Sequence, residues 1–209
     1  MKTVLIIPVF ERADYLLKTL ESVWPWLTDD VHVILADDGS TDPQVQKICN
    51  AFMRRRLNRN RYWQFHNSGI AFNLLRSIEQ CREYDTIITL DSDFIVKPDF
   101  FTTLKKLLAD HGNQNTIITG FNASSHPITD QHEGYAVKGT IGGGNLCFTW
   151  AAYEKHIRRS LVDSLWDWRM CESVQKASGW FICATPSICQ HIGTESTMGH
   201  KSSDKAEDY

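Results

Sequence analysis

Several features that identify large classes of proteins are missing from this sequence. No stretch approaches the roughly 20 consecutive apolar residues that a membrane-spanning helix needs. The opening residues 1–8 are too short for a secretory signal and have no cleavage-like tail. With a formal net charge of −3, the chain has no general electrostatic attraction to nucleic acids or anionic membranes. There is also no repeat and no linker, so we expect one domain.

A disulfide framework is also missing from the pattern of cysteines. Six cysteines are present, but no two of them form a Cys-x-x-Cys pair and their spacing is irregular. Most lie in apolar or helical patterns, where a reduced cysteine behaves as a small apolar side chain. We therefore expect free thiols and a reducing, cytoplasmic location.

Strand and helix patterns alternate through the first half of the chain. Short β-branched and apolar runs predict strands at 4–8, 31–36, 62–65, 86–90 and 116–119. Helical apolar spacing predicts helices at 13–23, 42–55, 70–81 and 100–109. This alternation indicates an α/β fold with a parallel sheet that helices cover on both faces.

The second half of the chain changes character. Strands are predicted at 133–138, 145–148 and 181–184, and helices at about 150–159 and 166–178. The stretch 122–135 is interpreted as a loop and 194–200 as a mobile lid. Residues 201–209 are polar, which predicts a loose tail.

Polar residues follow three of the predicted strands at their carboxyl ends. The segments are Pro8-Val9-Phe10-Glu11-Arg12, Asp37-Asp38-Gly39-Ser40 and Asp91-Ser92-Asp93. Parallel strands bring such ends to one rim, where α/β sheets bind ligands. Because carboxylates after a buried strand need a positive partner, Mg²⁺ or Mn²⁺ carrying a diphosphate would suit them. Two alternatives stay open, a helix cap near Pro98 and an ordinary strand-to-helix turn at residues 37–40.

In this order the segments resemble the nucleotide-binding half of GT-A glycosyltransferases, most closely family 2. The family pattern has Pro-x-aromatic-Asn/Glu, Asp-Asp-Gly-Ser, Asn-x-Gly and Asp-x-Asp, and the third element here is Asn67-Ser68-Gly69. The match covers about residues 3–101. It implies a Rossmann-like GT-A domain over 1–200, with a nucleotide-binding half at 1–101 and an acceptor half at 102–200.

The resemblance also implies roles for individual residues. Asp38, or Asp37, would hydrogen-bond the nucleobase, which favours a UDP-sugar. Asp91 would face the ribose or the metal, and Asp93 would coordinate the metal. Many relatives carry a basic residue early in the helix after the glycine, whereas the nearest one here is Arg76. The expected nucleotide-sugar contacts are Pro8, Phe10, Glu11, Arg12, Asp37, Asp38, Asn67, Asp91, Ser92, Asp93, Gly143, Gly144 and Asn145.

The second half carries a looser resemblance to the same superfamily. The run Gly142-Gly143-Gly144-Asn145 resembles a segment that lines the donor-sugar pocket, although a flexible turn is the alternative. Asp167 matches the position of the catalytic base of inverting members, but Trp166 stands where the family has Glu. Asp167 could instead be a first-turn helix acid. His191 matches a histidine that supplies a third metal ligand beside Asp91 and Asp93, or it packs structurally.

Together these residues imply a metal-dependent glycosyltransferase that uses Mn²⁺ or Mg²⁺. Asp167 would deprotonate the hydroxyl of a carbohydrate or other acceptor, and the anomeric configuration would invert. The alternatives are a non-catalytic sugar-nucleotide-binding protein and a nucleotidyltransferase, which usually has a Gly-rich basic loop where this chain has residues 10–14. A nucleic-acid acceptor is a further variant, suggested by five arginines within 54–61, but a solvated helix end explains that run better.

Overall fold

Alternating strands and helices build the first half of the fold, as the sequence pattern predicts. The structure, a computed structural model, describes residues 2–55, 59–194 and 204–209. The elements of this half are β1 (Thr3–Val9), α1 (Ala13–Val23), a short 3₁₀ turn (Trp24–Trp26), β2 (Val31–Asp37), α2 (Pro43–Arg55), β3 (Asn60–Gln64), α3 (Ile70–Glu79), β4 (Thr86–Leu90), β5 (Phe94–Val96) and α4 (Phe100–His111).

The second half contributes shorter and more varied elements. They are β6 (Thr116–Thr119), β7 (Ile128–His132), β8 (Tyr135–Lys138), β9 (Asn145–Phe148), α5 (Trp150–Ala152) with a π-helical continuation (Tyr153–Ile157), α6 (Trp166–Lys176), β10 (Trp180–Ala184) and β11 (Cys189–His191). Among the described residues, no helix has the length and apolar character needed to cross a bilayer.

Nine of the strands in the described residues form one mixed sheet in the order β3-β2-β1-β4-β9-β6-β10-β8-β7. The first four are parallel, which confirms the α/β architecture of the first half. The sheet is mostly parallel, as expected: β6 and β10 are also parallel to each other, while β9 runs antiparallel to both β4 and β6, and β8 is antiparallel to β10. A separate two-stranded ribbon pairs β5 with β11.

The central strand β1 is buried on both faces and divides the core into two apolar clusters. Leu5 and Ile7 point to the side covered by α1, α2 and α4. Val4 and Ile6 point to the side covered by α3 and α6. Because alternate side chains of a strand point to opposite faces, this run had to be apolar throughout. All six cysteines are buried as free thiols.

Three parts of the second half differ from the sequence predictions. Ile128–His132 is an edge strand, not part of a loop, and every one of its residues is exposed, so it has no apolar alternation to detect. The predicted helix at 150–159 is α helical for only three residues before its π turn. The strands of the β5–β11 ribbon have three residues each, too few to show a pattern.

The last six residues pack against the domain, contrary to the expectation of a loose tail. The side-chain amide of Gln190 donates to the carbonyl of Ala206 at 2.9 Å and accepts from its N–H at 2.9 Å. Asn122 donates to Asp208 at 2.8 Å. Residues 204–209 are polar and are held by hydrogen bonds, so the sequence shows no apolar pattern that would predict their packing. Residues 201–203 lie outside the described residues.

Candidate active site

The carboxyl ends of β1, β2 and β4 meet at one rim, where the turn after β1 has an unusual backbone. Glu11 and Arg12 both have positive φ angles, 52° and 60°. Left-handed backbone is unfavourable for such residues and persists only when surrounding contacts fix it. Here it sends two consecutive side chains to two different neighbouring loops.

Glu11 ties the first loop to the second. Its carboxylate accepts from the N–H of Thr41 at 2.7 Å, from the Thr41 hydroxyl at 2.9 Å and from the N–H of Asp42 at 3.1 Å. Its own N–H donates to Ser40 Oγ at 2.8 Å. The bond from the Thr41 N–H is the main reason why the pKa of Glu11 lies below its ordinary value. The carboxylate therefore holds the loop after β2 in place beside the loop after β1.

Asp37 also performs a structural role. It is fully buried and accepts hydrogen bonds from the N–H and hydroxyl of Ser40, at 2.9 and 2.6 Å, and from the Tyr62 hydroxyl at 2.8 Å. Burial, followed by the bond to Asp37, raises the pKa of Tyr62. Asp37 is thus the acid of the strand-to-helix turn that the sequence left as an alternative.

Asp38 is buried and bound by four donors from the next loop and helix, one of them the Ser68 hydroxyl at 3.1 Å. Its carboxylate accepts from the N–H of Ser68 at 3.0 Å, from the N–H of Gly69 at 2.7 Å and from Arg76 Nη2 at 3.0 Å. The Arg76 guanidinium also lies 4.2 Å from the centroid of the Phe65 ring. The internal donors take up the oxygens that the resemblance assigns to the nucleobase, and Arg76 serves as the basic partner that the sequence lacks nearer Gly69.

Asp93 lies at the centre of a compact charged group. Its Oδ2 atom is 2.8 Å from Arg12 Nη1 and 3.1 Å from His191 Nε2. The β5–β11 ribbon creates this contact, because it pairs Phe94 with His191. Burial alone would raise the pKa of Asp93, but the bonds and charges of His191 and Arg12 hold it below its ordinary value. Neither Asp91 nor Asp93 caps α4, which begins after Asp99.

Asp91 stands apart from that group. Its N–H donates to the carbonyl of Gly144 at 2.8 Å. Burial, and then the negative charges of Asp93 and Asp167, raise the pKa of Asp91 well above its ordinary value. Within residues 2–55, 59–194 and 204–209, no three His, Cys, Asp or Glu side chains are grouped to hold a metal. The expected set of Asp91, Asp93 and His191 is therefore not assembled.

Two members of that set nevertheless fit a shared cation. A Cβ atom added to Gly193 would stand 2.5 Å from Asp93 Oδ2 and 2.7 Å from His191 Nε2. The same point lies 2.8 Å from Arg12 Nη2. Carboxylate oxygen and imidazole nitrogen are suitable ligands for Mn²⁺, so the donor pair fits, while the guanidinium stands beside the same space.

Two glycines of the run 142–144 allow aromatic side chains to approach the backbone closely. A Cβ on Gly143 would lie 2.4 Å from the Trp166 ring, and one on Gly144 would lie 2.7 Å from the Phe94 ring. Asn145 is fully buried, and its amide donates to the carbonyl of Thr89 and accepts from the N–H of Gly120, both at 2.8 Å. Asn145 therefore connects strands inside the sheet, directly after the glycine run.

Asp167 lies in the first turn of α6, next to the glycine run 142–144. The N–H of Trp168 donates to its carboxylate at 2.9 Å, and the N–H of Gly143 faces the carboxylate from the glycine run. Burial raises the pKa of Asp167 above its ordinary value, although these N–H donors oppose the effect. Its imidazole neighbour is His126, whose pKa burial lowers and whose Nδ1 lies 2.8 Å from the Thr140 hydroxyl. His126 was not among the predicted site residues, because a lone histidine in a loop carries no sequence signal.

The remaining predicted contacts occupy varied positions. Pro8 is buried within β1, Phe10 is half-buried and Asn67 is exposed. The carbonyl of Ser92 accepts from the Thr19 hydroxyl at 2.8 Å. Of the expected lid, only Thr194 is described, with its hydroxyl 3.1 Å from that of Tyr15; residues 195–200 lie outside the described residues.

Comparison with known proteins identifies the family and the fold. Residues 4–160 match the family described as glycosyl transferase family 2. The chain is 36% identical over 102 residues to "Glycosyltransferase GlyG" of Streptococcus pneumoniae serotype 4 (strain ATCC BAA-334 / TIGR4), a match that covers 47% of this chain and 32% of that protein.

Two solved structures share the fold at low sequence identity. One is "GalNAc-T7 with UDP, GalNAc and Mn2+", at a TM-score of 0.77 and 10% identity, covering 92% of this chain and 44% of that one. The other is the mannosyltransferase PcManGT from Pyrobaculum calidifontis with GDP-Man and Mn²⁺, at a TM-score of 0.67 and 13% identity, covering 90% and 56%.

The chain thus spans between about a third and just over half of these relatives. The family match nevertheless covers most of the chain and includes the rim formed by β1, β2 and β4. The expected fold and family are both confirmed: the chain has the GT-A fold and belongs to glycosyltransferase family 2.

Proposed function

We propose that this chain transfers a sugar from a nucleotide sugar, with UDP as the nucleotide, to a hydroxyl group of an acceptor. One observation carries the proposal: Gly143 packs against the ring of Trp166, the residue before Asp167, and the next residue, Gly144, accepts from the N–H of Asp91. A single backbone segment thus joins the proposed base to the acidic end of β4. A donor at the strand ends would lie next to the group that activates the acceptor.

On the donor side, Asp93 and His191 would hold Mn²⁺ or Mg²⁺ against the diphosphate. When bound, the ion would act as a Lewis acid that neutralises charge on the leaving phosphate. Support comes from the Oδ2–Nε2 separation of 3.1 Å and from the Mn²⁺ in both structural relatives. Glu11 and Arg76 act indirectly, since they fix the loops after β1 and β2.

On the acceptor side, Asp167 would take the proton of the attacking hydroxyl. The oxygen would then form a bond to the anomeric carbon as the bond to the diphosphate breaks on the opposite face, which inverts the configuration. A pKa raised by burial makes the carboxylate a stronger base, and the N–H groups of Gly143 and Trp168 keep it oriented.

The competing function is sugar-nucleotide binding without turnover, and the observation in its favour is Trp166 at the family's Glu position. A panel of UDP- and GDP-sugars, assayed for nucleotide release with Mn²⁺ and with carbohydrate acceptors, distinguishes the two. Release that needs Mn²⁺ and is lost in Asp93→Ala supports transfer. Thermal stabilisation by UDP with no release from any donor would favour binding alone. UDP affinity that is equal in EDTA and in Mn²⁺ would contradict the metal assignment.

A further inference from the structure

The Arg12–Asp93 ion pair occupies the place where a divalent cation would be needed. Arg12 Nη1 lies 2.8 Å from Asp93 Oδ2, and the two side chains are only 22% and 12% exposed. The oxygen it contacts is the same one that faces His191 Nε2. A guanidinium and a metal ion therefore compete for a single carboxylate oxygen.

The rest of the Arg12 side chain is arranged for a second, anionic partner. Its Nη2 atom is buried and, among the described residues, has no hydrogen-bond partner. A buried donor without a partner is costly and indicates a ligand that completes it. The guanidinium carbon lies 4.4 Å from the centroid of the Tyr15 ring, which supports the group from one side. A phosphate oxygen suits such a donor, because guanidinium binds planar arrays of anionic oxygens.

Backbone strain indicates that this position of Arg12 is maintained. Arg12 has left-handed backbone at the start of α1, with φ 60° and ψ 50°. Such a conformation is unfavourable for arginine, and it is the conformation that directs the side chain across to Asp93. Strain of this kind collects at residues that have a function.

We propose that Arg12 is a counterion switch: it neutralises Asp93 while the nucleotide is absent, and moves to the diphosphate when the nucleotide binds. Asp93 is then left free for the divalent cation. The guanidinium thus excludes the cation from the nucleotide-free protein and couples cation binding to nucleotide binding. This inference rests on the proposed cation site at Asp93 and His191.

Binding of Mn²⁺ alone and of UDP alone tests the switch in Arg12→Met, which keeps length and removes charge. Electron paramagnetic resonance in the absence of nucleotide measures the binding of Mn²⁺. We expect Arg12→Met to bind Mn²⁺ about tenfold or more tighter than wild type does, a difference of about 1.4 kcal/mol in binding free energy. UDP in EDTA should bind more weakly, because a donor to the diphosphate is lost. Structural damage would weaken both, so opposite shifts are specific to the switch.

Lys18→Met is the matched control, since it removes a cation from the same helix. Lys18 lies 5.7 Å from the centroid of the Tyr15 ring, and both affinities should stay at wild-type values. If Arg12→Met is unfolded by thermal melting, Arg12→Asn replaces it, because asparagine tolerates left-handed backbone.

Two results would overturn the inference in distinguishable ways. In the first, Mn²⁺ binds to wild type and binds equally or more weakly to a folded Arg12 variant. That result would contradict the switch but not the cation site. No Mn²⁺ binding to any variant, with or without UDP, would remove the cation site and the switch together.

Discussion

Arg76 and Asp38 form an ion pair across the nucleotide-binding half, from α3 to the end of β2, at 3.0 Å between Nη2 and Oδ1. The Asp38 side chain is 4% exposed and that of Arg76 34%. The pair explains how a buried carboxylate is tolerated in this chain, which lacks the basic residue that many relatives carry early in the helix after the glycine. Asp38 also holds the turn at Ser68 and Gly69 in place by accepting hydrogen bonds from it. Its role is therefore to support the site.

Removing the arginine should therefore destabilise the fold. We expect Arg76→Gln to lower the free energy of unfolding by about 1–3 kcal/mol, because it leaves the Asp38 carboxylate buried without its positive partner. The matched control is Arg158→Gln, which removes the partner of Glu79 from a pair whose side chains are 56% and 36% exposed. That change should cost less than about 1 kcal/mol. Urea denaturation measures both, and equal losses would contradict the role of Asp38.

Gly143 should tolerate no side chain. Its added Cβ would lie 2.4 Å from the buried Trp166 ring, so Gly143→Ala should reduce stability by about 1–3 kcal/mol through overpacking. Transfer should fall as well, because the Gly143 N–H holds Asp167. Gly142→Ala is the control, as its Cβ would lie 3.4 Å from His126 Nε2 and can be accommodated. If the two variants have the same melting temperature and rate, the packing argument is wrong.

Glu11 should make stability depend on acid pH. Its pKa is lowered in the folded state by the Thr41 and Asp42 donors. Stability from such a group is complete above its unfolded pKa of about 4.3 and is lost as the pH falls through the lower folded value. We expect Glu11→Gln to be less stable than wild type at pH 7, with the difference shrinking below about pH 4. Denaturation curves at both pH values test this, and a constant difference would refute it.

The sequence predicts the positions of the rim acids well, because Asp37 and Asp91 follow unbroken apolar runs that could only be buried strands. It does not predict which acid serves structure and which serves chemistry. That distinction depends on donors brought from distant loops, such as Ser68 to Asp38 and Thr41 to Glu11. The sequence does not predict the Arg12–Asp93 pair either, because the pair depends on positive φ angles at two residues that are not glycine.

The proposed chemistry depends most directly on Asp167. The carboxylate must be ionised to accept a proton, and Asp167→Asn keeps its shape while removing its basicity. The first-turn position and the N–H donors of Gly143 and Trp168 can be retained by an amide oxygen, so the fold and the donor site should be unaffected.

We therefore expect Asp167→Asn to bind UDP and Mn²⁺ like wild type while sugar transfer falls by about 10²-fold or more, the usual scale for a lost general base. Asp163→Asn serves as the control, because it removes an exposed carboxylate that pairs with Arg169 beside the same helix. Initial rates with a saturating donor, together with the anomeric configuration of the product, provide the measurement. A near-normal rate in Asp167→Asn would show that another group accepts the proton. A product with retained configuration would exclude the single displacement on the opposite face that is proposed here.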